Sequence, residues 1–216
     1  MMLPTHALAG MVLALPVAYA RPEFAAVALV AGFVGGVVPD LDLYAGHRKT
    51  LHYPVYYAPL AGGALLLAAW HPTTVTVGAA FLLLGAAAHS AADAFGGGLE
   101  LRPWEATSDR AVYDHHRGRW IAPRRWVRYD GSPGDLLLAV SLALPLLVTL
   151  DGGLRRVVFA TLAVAVGYTA VRRVLPRLAV LVVDRLLTPV VPPHLLSYVP
   201  ARYRERPAPG MALADD

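Results

Sequence analysis

TVTVGAAFLLLGAAAHSAADAFGGG, residues 74–98, runs fifteen positions without an ionisable group before it reaches His89 and, four residues later, Asp93. A surface helix of a water-soluble domain carries a polar face opposite its core. This run has none, and neither does the stretch at 53–70. Segments of this kind need an apolar solvent, and the fold class they predict is all-α, a polytopic membrane helical bundle. Comparable uncharged stretches cover approximately 7–20, 24–38, 53–70, 73–92, 136–150 and 157–171, so about six apolar, membrane-associated helices are expected. Several are short, because about 20 residues are needed to cross a hydrocarbon core of about 30 Å.

Composition agrees. Of 216 residues, 56% are apolar and 16% charged, against about 25% charged in soluble domains, and mean hydropathy is +0.50. The chain has no Cys, which excludes disulfides and thiolate ligation and leaves His and carboxylates as the only strong metal ligands. A net charge of +4 rests on 18 Arg and one Lys, and nucleic acid is not an expected partner on that balance; the lipid bilayer is. One membrane-embedded domain over 1–199 is expected, with an extramembrane loop or small subdomain at 96–134, rich in Arg, Trp, Tyr, Pro and Gly, and a polar tail at 200–216. Residues 1–20 read as a retained first helix with Thr5 as its N-cap, since no basic residue precedes the apolar run as a signal peptide would require. After Arg172 the pattern RRVLPRLAVLVVDRLLTPVV is amphipathic, as in an interfacial helix.

Alternating helix direction sorts the polar residues by side. His6 precedes the bulk of helix 1, Asp40 to His52 lie between helices 2 and 3, and His89 with Asp93 closes helix 4. All fall on one side, with the loop 96–134, whereas His71 falls on the other. That side carries Arg48, Lys49, seven Arg in 96–134 and seven from Arg172 onward, against Arg21, Arg155 and Arg156 opposite. The excess of basic residues predicts a multi-pass protein of the cell (inner, cytoplasmic) membrane with this side facing the cytoplasm.

The converging residues are metal-ligand types. His89 and Asp93, at i and i+4, share a helix face and can share one divalent ion, and ionisable groups at membrane depth are costly enough to be functional by default. Asp40 and Asp42 follow Pro39 at the end of helix 2, where carboxylates oppose the helix dipole, which suggests a bound cation. One of the pair would ligate and the other orient a ligand His; sequence does not say which. The candidate ligands are His6, Asp40, Asp42, His52, His89 and Asp93, for a divalent ion, zinc or manganese. His47 and Arg48 are the candidate catalytic residues, His47 to shuttle a proton and Arg48 to hold an anionic oxygen. His115 and His116 are weaker candidates, and His194 reads as structural. No phosphate-binding loop, no Gly-x-Ser-x-Gly and no His-Glu-x-x-His is present.

Thr5-His6, Pro39-Asp40-Leu41-Asp42, His47-Arg48 with His52, and His89-x-x-x-Asp93 together resemble the LexA-binding, inner-membrane-associated family described as membrane-bound metal-dependent hydrolases. The resemblance spans residues 1 to about 105. Family members carry Thr directly before the second loop His, whereas Leu51 precedes His52 here. The resemblance implies hydrolysis through a metal-activated water, and Arg beside a metal suits a phosphoester or other anionic substrate, small or carried on a lipid headgroup. The alternatives are a non-catalytic metal-binding or ion-handling membrane protein, and a scaffold using the 96–134 loop.

Overall fold

The computed structural model describes residues 1–43, 45–196 and 198–199. All six apolar stretches are helical: α1 Leu3–Ala20, α2 Ala25–Val37, α3 Tyr57–Trp70, α4 Thr74–Ala92, α5 Pro133–Thr149 and α6 Gly152–Val171. The six expected apolar helices are all present, and they divide by length. Four helical segments, Leu3–Ala20, Pro22–Asp42, Thr74–Phe95 and Gly152–Val171, are long and apolar enough to cross a membrane. At 14 and 17 residues, α3 and α5 rise only about 21 and 26 Å. Short breakers set those limits: Tyr53-Pro54 before α3, His71-Pro72 after it, and Pro133 at the start of α5.

The chain divides into two compact units, residues 1–173 and 174 onward. In the first, α1 packs against α2, α4, α5 and α6, burying Leu8, Met11 and Ala14 completely with Leu29, Phe81, Ala139, Leu146 and Val158. The outward faces are also apolar, with Leu66, Val75, Leu137 and Val148 each more than two-thirds exposed. A chain that is apolar inside and out sorts its helices by shape rather than by polarity, so small residues decide the contacts. Gly10 and Gly32 are the tightest case: a Cβ on either would collide with the carbonyl of the other. Absent side chains there let α1 and α2 touch backbone to backbone.

Helix starts are fixed by short polar signals. Thr73 caps α4 with a capping box, its Oγ1 accepting from Thr76 N at 3.1 Å while Thr76 Oγ1 accepts from Thr73 N at 2.9 Å. Ser132 caps α5 through Asp135 N. The expected Thr5 cap of α1 is corrected: α1 begins at Leu3 with Met2 as its cap residue. Thr5 lies inside the first turn and donates to Asp135 Oδ1 at 2.7 Å. Asp135 also accepts from Met2 N at 2.7 Å and Gly131 N at 3.0 Å, which ties the start of α1 to the start of α5.

The 96–134 segment is structured. It holds a short hairpin, β1 Val112–Asp114 and β2 Arg119–Ile121, antiparallel with Tyr113 opposite Trp120. Tyr113 N donates to Arg48 O at 2.9 Å, the Lys49 ammonium sits 4.5 Å over the Tyr113 ring, and His115 pairs with Lys49 O at 2.6 Å while lying against Tyr53. The hairpin therefore clamps the 46–53 loop from outside. Residues 124–127 pair along 94–96 at the end of α4. Asp130 binds Arg172 (2.8 and 3.1 Å) and Tyr168 at the end of α6.

The second unit carries α7 Leu175–Val182, a π-helical turn Val183–Leu187 and α8 Pro193–Leu196, helical where the amphipathic pattern predicts. The polar tail 200–216 lies outside the described residues.

Candidate metal centre

Backbone geometry at the end of α2 splits the two Asp residues. After Val37 the helix tightens into a 3-10 turn over Val38–Asp42, with Pro39 near its start. At three residues per turn, positions two apart project about 240° from one another. Asp40 and Asp42 accordingly face different neighbours. Asp42 is 1% exposed, and both its oxygens are spent within the following loop: Oδ1 on His47 Nδ1 (3.1 Å) and Arg48 N (3.3 Å), Oδ2 on Leu51 N (3.0 Å) and His52 Nδ1 (3.0 Å). Asp40 points instead towards His52 Nε2 and His89 Nε2.

Four ligand atoms meet there, one each from Asp40, His52, His89 and Asp93, all within 4.8 Å of one another. The separations are 3.2 Å between the two Nε2 atoms, 3.3 and 3.6 Å from Asp93 Oδ2 to His52 and His89, and 3.6 and 3.4 Å from Asp40 Oδ1 to the same rings. A tetrahedral ion with bonds of about 2.1 Å needs ligand atoms about 3.4 Å apart. Five edges of the cluster bracket that length. The rings are also presented correctly: His52 Nδ1 faces Asp42, and His89 Nδ1 donates to Gly36 O at 2.7 Å, so each Nε2 lone pair is left for an ion.

His6, from the first turn of α1, lies beside the four. Its ring stacks on His89 with centroids 3.7 Å apart, and its Nε2 is 3.2 Å from Asp93 Oδ1, the oxygen turned away from the cluster. The Met1 nitrogen is 3.1 Å from the same oxygen.

Arg48 is turned inward. It adopts a positive φ of 60° and is 6% exposed. Its Nη1 donates to Gly97 O (2.7 Å) and Ala111 O (3.3 Å), and its Nε lies 3.4 Å from Asp93 Oδ2. The guanidinium thus fastens the loop to the 96–121 segment and lies beside the Asp93 carboxylate. His47 is the more accessible, its side chain 18% exposed and 3.9 Å from Asp40 Oδ1.

The electrostatics follow from three carboxylates around two imidazoles. Burial pushes the His52 imidazole down, but its contacts with Asp40, Asp42 and Asp93 outweigh that and raise it to about 10. Burial holds His47 below its ordinary value; its bond to Asp42 offsets part of this, and the Arg48 charge adds to it. The cluster therefore demands positive charge at its centre, from a proton or from a cation.

Sequence reasoning missed the main-chain partners: Gly36 O under His89, and Gly97 O and Ala111 O on Arg48. The Gly35-Gly36 pair before Pro39 was the available signal for Gly36, since a Cβ there would collide with the His6 carbonyl. His115 and His116 pack on Tyr53 and Tyr56 and do not join the four. His71 closes α3 at the far end.

No family model matches the chain, and no curated protein or solved structure does so.

Proposed function

We propose that this chain is a membrane-embedded, metal-dependent hydrolase in which Asp40, His52, His89 and Asp93 hold one divalent ion. The observation that carries the reading is the set of four ligand atoms, all within 4.8 Å of one another, gathered from three separate segments at one end of a lipid-facing bundle. Arg48 and the Met1 nitrogen offset charge at Asp93; a divalent ion between the two Nε2 atoms would offset the charge of Asp40 as well. Two imidazoles and two carboxylates at tetrahedral spacing favour zinc over manganese, which prefers six oxygen-rich ligands.

A divalent ion in this place supplies Lewis acidity, polarising a phosphoryl or carbonyl oxygen and acidifying a water. The chain's residues do the rest. Asp42 and Gly36 O fix the tautomer and tilt of His52 and His89. Arg48, with its Nε 3.4 Å from Asp93 Oδ2, sets a positive charge beside that carboxylate. His47, half-way between Asp42 and solvent, carries a proton in or out. A divalent ion held here, with the Arg48 guanidinium beside Asp93, would suit an anionic substrate oxygen such as that of a phosphoester. The short motifs that resemble those of membrane-bound metal-dependent hydrolases point the same way, and the excess of basic residues at this end supports a site facing the cytoplasm.

The test is metal analysis of detergent-purified protein handled without chelators, followed by phosphomonoester, phosphodiester and phospholipid substrates. The expected result is about one equivalent of zinc in the wild type, metal-dependent turnover of at least one substrate, and loss of both in His89→Ala. Wild type and His89→Ala equally free of metal would sink the reading. Four protein ligands also close a tetrahedral shell, as in structural sites, and that favours the second reading, a non-catalytic ion-binding protein. Stoichiometric metal with no turnover is its signature.

A further inference from the structure

Resting on that reading, the geometry points to Asp40 as the exchangeable ligand: the one protein group that leaves the ion to open a coordination position, while the other three stay. A closed tetrahedral shell cannot accept a water or a substrate oxygen, so either one ligand withdraws or the site is inert. The four ligands differ sharply in what holds them.

His52, His89 and Asp93 are buried to within 1% and each is braced from behind. His52 has Asp42 at 3.0 Å, His89 has Gly36 O at 2.7 Å, and Asp93 has the Met1 nitrogen at 3.1 Å and His6 at 3.2 Å, both on Oδ1. The Asp40 side chain is 22% exposed. Among the described residues, the ion-pair partners of its carboxylate are the ligand rings themselves and His47 at 3.9 Å. No main-chain N–H among them holds it, in contrast to Asp42 two residues on, which takes two. Its neighbours on the turn, Leu41 and Leu43, are exposed as well. Among the four, Asp40 is thus the one that is partly exposed and has no anchor behind it beyond the imidazoles it faces. When it withdraws, one ion–Oδ1 bond is broken and one position opens on the solvent side. The freed carboxylate stays beside His47, able to accept a hydrogen bond from whatever enters.

Cobalt-substituted protein tests this without any substrate. Co²⁺ replaces the native ion, and chelator competition gives its affinity. Imidazole, a neutral ligand insensitive to the charge change, is then titrated while the visible absorption of the cobalt is followed. Asp40→Ala and the isosteric Asp40→Asn are expected to keep Co²⁺ within about tenfold of wild-type affinity, whereas Asp93→Asn loses about a hundredfold or more. Both Asp40 variants should bind imidazole at least about tenfold more tightly than the wild type, where the carboxylate must first be displaced. If Asp40→Asn loses Co²⁺ as severely as Asp93→Asn, or its imidazole affinity equals that of the wild type, Asp40 is a fixed ligand and the proposal is overturned while the metal centre stands. If wild type binds no Co²⁺, both readings fall together.

Discussion

Asp40 and Asp42 look equivalent in the sequence and are opposites in the structure. The difference arises from two residues of 3-10 geometry, which send one carboxylate to the ligand rings and the other beneath the loop. Asp42 then holds four donors, and its removal should be felt at the ion although it never touches it. Asp42→Asn is expected to lower zinc affinity by about 10- to 100-fold, the range for lost ligand-orienting carboxylates, as measured by competition with a chromophoric chelator. An unchanged affinity would show that His52 needs no such brace. The His89–Asp93 pair was legible because helix periodicity alone puts i and i+4 together. The division of labour between the Asp residues was not, since it depends on whether Val38–Asp42 continues as α-helix, extends or tightens. Nor was the inward turn of Arg48. Its main-chain partners Gly97 and Ala111 lie about 50 and 60 positions away, and carbonyl partners leave no mark in side-chain chemistry.

At the level of elements, the site depends on how closely α1, α2 and α4 approach. His6 comes from α1, Gly36 O from α2, His89 from α4 and Asp93 from the 3-10 turn that follows it. Gly36→Leu places a side chain against the His6 carbonyl and should cost about 1–3 kcal/mol of stability through overpacking, with zinc affinity falling in parallel as His89 loses its carbonyl partner. Gly62→Leu in α3 is the matched control, because a Cβ there meets nothing within 4 Å, and a better helix former should leave stability equal or slightly raised. Unfolding in detergent and metal titration of the two variants separate tight packing from loss of flexibility: equal damage from both would mean that glycine acts through chain freedom. The helices themselves were legible from hydropathy, and so was the shortness of several; the start of α3 was not, because Tyr53-Pro54 delays it to Tyr57 within an apolar run that begins at 53. The Thr5–Asp135 bond escaped for a different reason, joining helix starts 130 residues apart.

On the scale of the whole molecule, helix direction alternates as side-counting from the sequence requires. The starts of α1, α3 and α5 and the ends of α2 and α4 gather at the metal end, where Met2 and Thr5 meet Asp135 and His6 meets Asp93. That end carries Arg48, Lys49 and the seven Arg of 96–134, while the opposite turns carry Arg21, Arg155 and Arg156. By the positive-inside rule, such asymmetry is what a bundle with its basic end in the cytoplasm is expected to carry. The absence of cysteine makes the orientation directly measurable, since any introduced thiol is unique. Arg119→Cys on the exposed hairpin and His71→Cys on the exposed α3–α4 turn lie at opposite ends. With a membrane-impermeant maleimide on intact cells, His71→Cys should be labelled and Arg119→Cys should react only after lysis. The reverse pattern would place the metal centre on the outer face without altering its geometry. The substrate would then have to be extracellular, or carried by the outer leaflet, so the labelling result decides which phosphoesters belong in the activity screen.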